Sequence, residues 1–135
     1  MKTTLAVALG LFFLNVNAHA ANCSQKDAAG VWKTYQAAFV APKQSDEHVG
    51  ECTLYVSRAG AVDGTKSACQ FVTFNTGYIP TSGSVTVAGD CSVTVSLSLG
   101  NMTANVQMAK DKATWSGRFI AQNGMVSGTT NAVKK

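Results

Sequence analysis

Four cysteines, Cys23, Cys52, Cys69 and Cys91, are the residues whose type most directly implies chemistry. In an exported chain of this size, an even number of cysteines indicates a disulfide framework rather than free thiols. Four cysteines allow three pairings, and composition alone does not choose among them. If all four are paired, the chain has no thiol nucleophile.

Other groups that could do acid–base or metal chemistry are few. Outside the first twenty residues there is one histidine, His48, preceded by Asp46-Glu47 and followed by Glu51. It lacks metal-ligand spacing, the serines lack a nucleophile-elbow motif, and no Gly-rich phosphate loop is present. We therefore expect no catalytic residues, no metal and no cofactor, and we interpret His48 as part of a solvated loop.

The first twenty residues have the pattern of a secretory signal. Lys2 supplies the positive charge, residues 5–14 the apolar region, and Ala18-His19-Ala20 a small-x-small cleavage site. The apolar run is too short to span a membrane. Removing these 20 of the 135 residues leaves one domain, 21–135, and loss of Lys2 lowers the net charge from +4 to +3. We predict a periplasmic or extracellular protein, and the mild, scattered charge excludes nucleic acid as an expected partner.

Apolar and polar residues alternate through residues 83–133, and one phase survives four predicted turns. One face carries Val93, Val106 and Trp115, whereas serine, threonine and asparagine dominate the other. Such alternation indicates an antiparallel sheet with one solvated face. Counting outward from turns at 89–90, 100–101, 110–111 and 123–124 predicts the partners Val87–Cys91, Leu97–Ala104, Val106–Trp115 and Phe119–Gly128. The first of these turns is predicted as a three-residue loop with its glycine in the left-handed conformation.

An earlier hairpin bears on the cysteine pairing. With Gly60-Ala61 at the turn, Arg58 is predicted to face Asp63, Val56 to face Thr65, and Cys52 to face Cys69. Cross-strand partners have Cβ atoms within disulfide reach. We therefore predict the disulfide Cys52–Cys69, which leaves Cys23–Cys91.

The remaining segments complete an eight-stranded pattern. Ser24 and Asp27 are typical of a capped helix start, and this short helix would end at Gly30. A strand over residues 31–40 follows, and longer loops are predicted over residues 41–48 and 75–82. Strands in up-and-down order place both longer loops at one end, the mouth, and the helix with Cys23 and Cys91 at the other. The predicted fold class is an all-β, eight-stranded antiparallel up-and-down barrel, with inward Gly83, Gly117 and Gly128 at strand bends.

The N-terminal half carries a family resemblance. At Gly30-Val31-Trp32 the chain resembles the lipocalin-like (calycin) barrels, which place a short helix and then Gly-x-Trp at the closed end. With the later run Cys52-Thr53-Leu54-Tyr55-Val56, it is also similar to bacterial periplasmic metalloprotease inhibitors, over about residues 28–69. The resemblance implies a binding or inhibitory barrel without catalysis.

Candidate binding residues lie at the predicted mouth. Tyr78-Ile79-Pro80 forms an apolar loop that either contacts a partner or folds over the core as a lid. Leu99, Met102 and Phe119 are predicted on the inner face near the mouth, where small neighbours either leave an apolar cavity or complete a packed interior.

These residues lead to a functional hypothesis with one alternative. We expect an exported, non-enzymatic protein that binds an apolar small molecule or a protein target through the mouth loops. The alternative is a structural or surface-interaction protein whose Ser/Thr-rich outer face contacts an envelope, a matrix or a sister subunit.

Overall fold

The computed structural model of the protein describes residues 22–40 and 47–135. The predicted secretory signal, 1–20, and most of the predicted loop 41–48 lie outside the described residues. Within the described residues, no helix has the length and apolar character needed to cross a membrane.

Ten strand segments form one antiparallel sheet that closes on itself. They are β1 (Gly30–Val40), β2 (Glu47–Val56), β3 (Ala61–Val62), β4 (Ala68–Phe71), β5 (Ile79–Pro80), β6 (Gly83–Val87), β7 (Ser92–Leu97), β8 (Met102–Met108), β9 (Thr114–Ala121) and β10 (Val126–Lys134). Closure comes from β1, which pairs with β2 along one edge and with β10 along the other. β3 and β4 are two parts of the third barrel strand, and β5 and β6 are two parts of the fourth. The structure therefore confirms the predicted eight-stranded antiparallel barrel.

Helical structure in the described residues is limited to short 3₁₀ turns, at Gln25–Ala28, Val72–Phe74, Leu99–Asn101 and Gln122–Gly124. The first corresponds to the predicted N-terminal helix. Its start is capped as expected, because the backbone N–H of Ser24 donates to the Asp27 carboxylate at 2.8 Å.

The third barrel strand is interrupted, and this corrects part of the predicted hairpin register. Val56 faces Val62 rather than Thr65. Residues 63–67 instead form a turn, in which the Ser67 N–H donates to the Asp63 carbonyl at 2.9 Å. Asp63 does not pair with Arg58, because its carboxylate accepts from Thr65 at 2.7 Å. Beyond the turn the predicted register returns, with Cys52 opposite Cys69.

Both predicted disulfides are present, Cys52–Cys69 and Cys23–Cys91. In the chain-entropy description, the 68-residue separation of the second contributes about 4.5 kcal/mol to stability, against about 3 kcal/mol for the 17-residue separation of the first.

The residues 83–133 keep the predicted face but not every predicted partner. Val93, Val106 and Trp115 are buried inside the barrel, as expected. Across the first three turns, however, the predicted partners are two residues off, and the observed pairs are Val87–Val93, Leu97–Met102 and Val106–Gly117. The fourth hairpin is confirmed, with Phe119 opposite Gly128.

The two-residue offsets arise because the turns are longer than predicted. In the first turn Cys91, not a glycine, takes the left-handed conformation, at φ 67°, and so leaves the strand. Lys112 does the same in the third turn, at φ 57°. In the second turn β7 ends at Leu97, so Ser98 and Leu99 join the predicted turn residues Gly100 and Asn101. A shift of two residues preserves the inward face, whereas a shift of one would have reversed it.

Two inward glycines allow neighbouring strands to approach closely. A Cβ atom on Gly117 would lie 2.2 Å from the Asn105 carbonyl oxygen, and one on Gly128 would lie 2.1 Å from the Ala37 carbonyl oxygen. Any side chain would displace these backbones, so glycine permits the curvature that closes the sheet. The close approach of the neighbouring backbone is what requires glycine at these two positions.

The end of the barrel beside the first 3₁₀ turn is the closed end. Its centre is Trp32, which is fully buried and stacks on Trp115 with ring centroids 3.8 Å apart. The Trp32 indole N–H donates to the Ala28 carbonyl at 2.7 Å, so the 3₁₀ turn is fastened directly onto the core. The Cys23–Cys91 disulfide fixes the preceding residues to the turn between β6 and β7.

Candidate functional site

The mouth is formed by the connections β4–β5, β7–β8 and β9–β10, which are residues 72–78, 98–101 and 122–125. Residues of the Asn and Gln types enter the left-handed conformation there, at Asn75, Asn101 and Asn123 and at Gln122. Asparagine tolerates this conformation better than most residues, so the sequence allows tight turns. The fourth connection, 41–46, lies outside the described residues.

Exposed apolar side chains are concentrated around this end. Tyr78 and Val72 are the most exposed, at 66% and 61%. Of the nine most exposed large apolar or aromatic residues in the described part of the chain, six lie in the mouth connections or in the adjoining strand ends: Phe39, Val49, Val72, Tyr78, Ile120 and Met125. The mouth therefore presents a discontinuous apolar rim to solvent.

Neighbouring members of the rim are held by the sheet register and by local hydrogen bonds. Phe39 faces Ser127, which in turn faces Ile120, so these two apolar side chains lie two strands apart in one cross-strand row. The Val49 backbone N–H donates to the Thr73 hydroxyl at 2.9 Å, which ties β2 to the connection carrying Val72. The strands of the barrel therefore fix the positions of these rim residues.

Sequence-predicted site residues separate into an outer and an inner group. Tyr78 is exposed and does not cover the core, whereas Ile79 is half-buried opposite Cys69 and Pro80 is exposed opposite Ala68. Ile79 and Pro80 therefore belong to the short strand β5, which corrects the prediction of one continuous loop over residues 75–82.

The inner group lies beneath the rim. Met102 and Phe119 are buried, and Leu99 is half-buried against the core. Met102 borders a small interior cavity of about 10 Å³, which leaves room for roughly one water molecule.

A polar strip interrupts the apolar lining of that cavity. Thr34, Gln36 and Thr130 all border it and are all buried, with Thr34 only 4% exposed. Gln36 lies directly opposite Thr130, and its amide nitrogen lies 3.5 Å from the Cys52 sulfur. Within the part of the chain that the structure describes, the Thr34 hydroxyl has no hydrogen-bond partner. The signal for these residues was present in the sequence, since Thr34 and Gln36 share the inward phase of Trp32.

His48 is not part of a solvated loop. It lies in β2 opposite Ala38, a buried inward residue, and is itself half-buried. This corrects the sequence interpretation, because β2 begins at Glu47, earlier than expected. Across residues 22–40 and 47–135, no group of three or more histidine, cysteine or acidic residues is placed to hold a metal ion.

Electrostatic perturbation is found away from the mouth. Hydrogen bonds from Lys112, Thr65 and Ser92 hold the pKa values of the Asp27, Asp63 and Asp90 carboxyls, respectively, below the usual value of 3.8. All three serve helix or turn geometry, since each also accepts a bond from a nearby backbone N–H. Each of these carboxylates therefore stabilises the local backbone conformation at its turn.

Comparison with known proteins identifies the fold but no family. No known protein family and no curated protein matches the chain. A redesigned β-barrel, mFAP1, solved bound to DFHBI, is similar over 82% of this chain and 97% of its own, with 18% sequence identity and a TM-score of 0.53. A second redesigned β-barrel is similar over 82% of this chain and 93% of its own, with 17% identity and a TM-score of 0.49. The likeness to mFAP1 shows a shared barrel fold.

Proposed function

We propose that this chain is a non-enzymatic binding protein that engages a protein target through the apolar rim of the barrel mouth. The observation that carries this proposal is the composition of the three described mouth connections. Residues 72–78, 98–101 and 122–125 contain no charged residue, while Val72, Tyr78 and Met125 within them are exposed. Charge depletion combined with exposed aromatic and apolar side chains is typical of the centre of a protein–protein interface.

A protein fits this surface better than a lipid membrane does. Peripheral membrane binding generally combines apolar side chains with neighbouring lysine or arginine residues, which contact anionic lipid headgroups. The three described mouth connections have none of these, and the fourth, 41–46, contributes one lysine, Lys43, and one acidic residue, Asp46. The described connections offer asparagine, glutamine and threonine side chains beside the apolar ones. Such a mixture supplies both apolar anchors and directional hydrogen bonds to another folded surface.

A small, mainly apolar ligand inside the barrel is the second candidate. The unpartnered Thr34 hydroxyl favours it, because Thr34, Gln36 and Thr130 converge on an otherwise apolar cavity, as in many small-molecule sites. The similar redesigned barrel is bound to DFHBI, which supports this candidate through the fold alone. The ligand would have to displace a lining side chain such as Met102, since the cavity holds only about 10 Å³.

The compartment and the type of binding belong to the same proposal. The signal-like leader and the two disulfides support an oxidising, exported location, either periplasmic or extracellular. The resemblance of Gly30-Val31-Trp32 to lipocalin-like barrels, including periplasmic metalloprotease inhibitors, supports an inhibitory role towards a hydrolase.

Site-specific photo-crosslinking in the producing cell tests the protein-target proposal. A photoreactive phenylalanine analogue would replace Tyr78 at the rim or, as a matched control, Tyr55, an exposed tyrosine on the outer wall. We expect a discrete protein adduct from position 78 only. Equal adducts from both positions, or none from position 78, would contradict the proposal.

Binding by the purified adduct partner then provides the quantitative check. Combined Val72→Ser and Tyr78→Ser substitutions should weaken binding by about tenfold or more, because an exposed aromatic anchor commonly contributes 2 kcal/mol or more at an interface centre. Unchanged affinity would exclude the rim. Native mass spectrometry of the protein purified from its producing cell tests the second candidate, since a retained small-molecule mass would favour the interior site over the rim.

A further inference from the structure

The outer wall formed by β6–β10 has an unusual side-chain composition. Almost every outward position carries a hydroxyl or amide side chain, and Arg118 is the one charged residue among the outward positions between Ser84 and Asn131 within these strands. Exposed surfaces of soluble proteins generally have about a quarter to a third charged residues of both signs. A wall this poor in charge and this rich in neutral hydrogen-bonding groups is suited to a neutral or weakly charged hydrogen-bonding partner.

The polar side chains are ordered in rows across the strands. The sheet register places two adjacent rows side by side: Thr94–Asn105–Arg118–Thr129 and Ser92–Gln107–Ser116–Asn131. A shallow, widely open groove lies over β7, β8 and β9 between these rows, and its lining includes Arg118, Asn105 and Gln107. Strand spacing of about 4.8 Å sets the interval between neighbouring groups in each row.

Arg118 is the one cation of this groove. It is exposed, its cross-strand neighbours Asn105 and Thr129 are neutral, and it forms no ion pair with any residue that the structure describes. A guanidinium presents a planar set of donors that matches a carboxylate in a bidentate geometry. The groove therefore has one strong position for a carboxylate among many neutral donors and acceptors.

Two further side chains extend this surface. Gln107 is held in place, because its amide nitrogen donates to the Asp90 carbonyl at 2.9 Å. Tyr35 is 51% exposed and lies opposite Asn131, so it extends the second row by one strand. An exposed tyrosine ring offers an apolar face to the C–H face of a sugar ring while its hydroxyl remains in water.

We propose that this wall binds an extended acidic polysaccharide, with a uronic-acid carboxylate on Arg118, sugar hydroxyls on the Ser, Thr, Asn and Gln rows, and a sugar ring against Tyr35. Sugar hydroxyls both donate and accept, as do the side chains of the rows. The strands repeat every ~4.8 Å, so an extended polymer that crosses them meets one hydrogen-bonding side chain per strand in each row.

Other extended polymers fit less well. A peptide that binds a sheet generally adds to a free strand edge, and β7, β8 and β9 are each paired on both sides. Nucleic-acid binding depends on several phosphate-contacting lysines or arginines, whereas this groove supplies one. The lining of the groove includes none of the rim residues, so this inference does not depend on the protein-target proposal.

Calorimetric titration with oligogalacturonate, and with an uncharged cello-oligosaccharide for comparison, tests the inference. The full chain should bind the acidic oligosaccharide more tightly than the neutral one. Arg118→Gln should weaken acidic binding by about 10- to 100-fold, because a hydrogen bond to a charged group contributes about 1.5–3 kcal/mol. Asn105→Ala and Tyr35→Ala should each weaken it several-fold.

Arg58→Gln is the matched control, because Arg58 is also an exposed arginine but lies between β2 and β3, outside the groove. The affinity of the Arg58→Gln variant for oligogalacturonate should stay within about twofold of wild type, because this substitution removes the same charge outside the groove. Equal losses in Arg58→Gln and Arg118→Gln would show general attraction to a basic chain and overturn the inference. So would undetectable binding of oligogalacturonate, or equally tight binding of single-stranded DNA.

Discussion

The two ends of the barrel differ in what holds their connections together. At the closed end, the first 3₁₀ turn and the connections 57–60, 88–91 and 109–113 each contain a charged residue. At the mouth, the described connections contain none and expose apolar side chains instead. The closed end therefore supplies much of the stability of the barrel. Residues at the mouth can then be selected for exposure rather than for stability.

The closed end is anchored by long-range contacts as well as by charge. The Gln25 side chain donates to the Val85 carbonyl at 2.8 Å and accepts from the Val87 N–H at 3.0 Å, so it continues the hydrogen bonding of β6. The Lys112 ammonium lies 3.0 Å from the Asp27 carboxylate. These contacts join the start of the domain to strands far along the chain.

The largest expected effect tests this difference directly. Trp32→Ala should lower the free energy of unfolding by about 3–5 kcal/mol, because it removes a fully buried ring and its stacking on Trp115. Tyr78→Ala at the mouth should change it by no more than about 0.5 kcal/mol. Urea denaturation of both variants gives the values. Similar losses in the two variants would mean that the ends do not differ in stability.

A second pair of substitutions tests whether the stability of the mouth half comes from closure of the sheet rather than from its turns. Gly128→Ala should cost about 1–3 kcal/mol, because the new methyl group would meet the backbone of the neighbouring strand. Gly89→Ala, in an open turn of the closed end with no atom within 4 Å of the added Cβ, should be nearly neutral. Thermal denaturation monitored by circular dichroism compares them. A neutral Gly128→Ala would show that the strands can separate there at little cost.

The smallest expected effect concerns the charges of the closed end. Hydrogen bonds from Lys112 and from the Ser24 backbone lower the pKa of Asp27 in the folded protein. A carboxyl with a folded-state pKa below its unfolded value stabilises the fold above the unfolded pKa, near 4, and loses that contribution as the pH falls through the folded pKa. Asp27→Asn should therefore lower the melting temperature at pH 7, and its difference from wild type should start to shrink near pH 4 and disappear as the pH falls through the folded-state pKa.

Lys112→Gln serves as the companion variant for that measurement. Removal of the lysine deletes the first cause of the lowered Asp27 pKa, so its pH profile should lie between those of wild type and Asp27→Asn. A constant difference between wild type and Asp27→Asn from pH 2 to pH 7, expected for loss of shape alone, would contradict the electrostatic account.

The barrel and the disulfides could be predicted from the sequence because both depend on the alternation of inward and outward residues along the strands. Every second residue of a strand points inward, so a two-residue error at a turn left Val93 and Val106 inside the barrel. The longer turns were missed because left-handed Cys91 and Lys112 are residues with no particular preference for that conformation. The interruption after Val62 was missed because the Asp63 turn depends on local side-chain bonds to Thr65 rather than on hydrophobic pattern.

The mouth was harder to predict than the wall. Exposure of Tyr78 was one of two alternatives that the sequence left open. The rim as a whole depends on which strand ends meet there, and Phe39 and Ile120 lie in one cross-strand row only through the register of β10. The polar strip was overlooked although Thr34 follows the phase of Trp32. Whether Thr34 would find a partner depends on three-dimensional packing across the barrel.

The pairing of β1 with β10 sets the order in which the domain can form. β1 is the first strand in the sequence and β10 is the last, although the two are adjacent in space. Closure of the barrel therefore pairs residues that are nearly as far apart in sequence as any in the fold. Until residues 126–134 are available, β1 and β9 each retain an unsatisfied edge that can associate with other chains. Assembly should consequently be slow and late, with nascent chains vulnerable to aggregation until the last strand arrives.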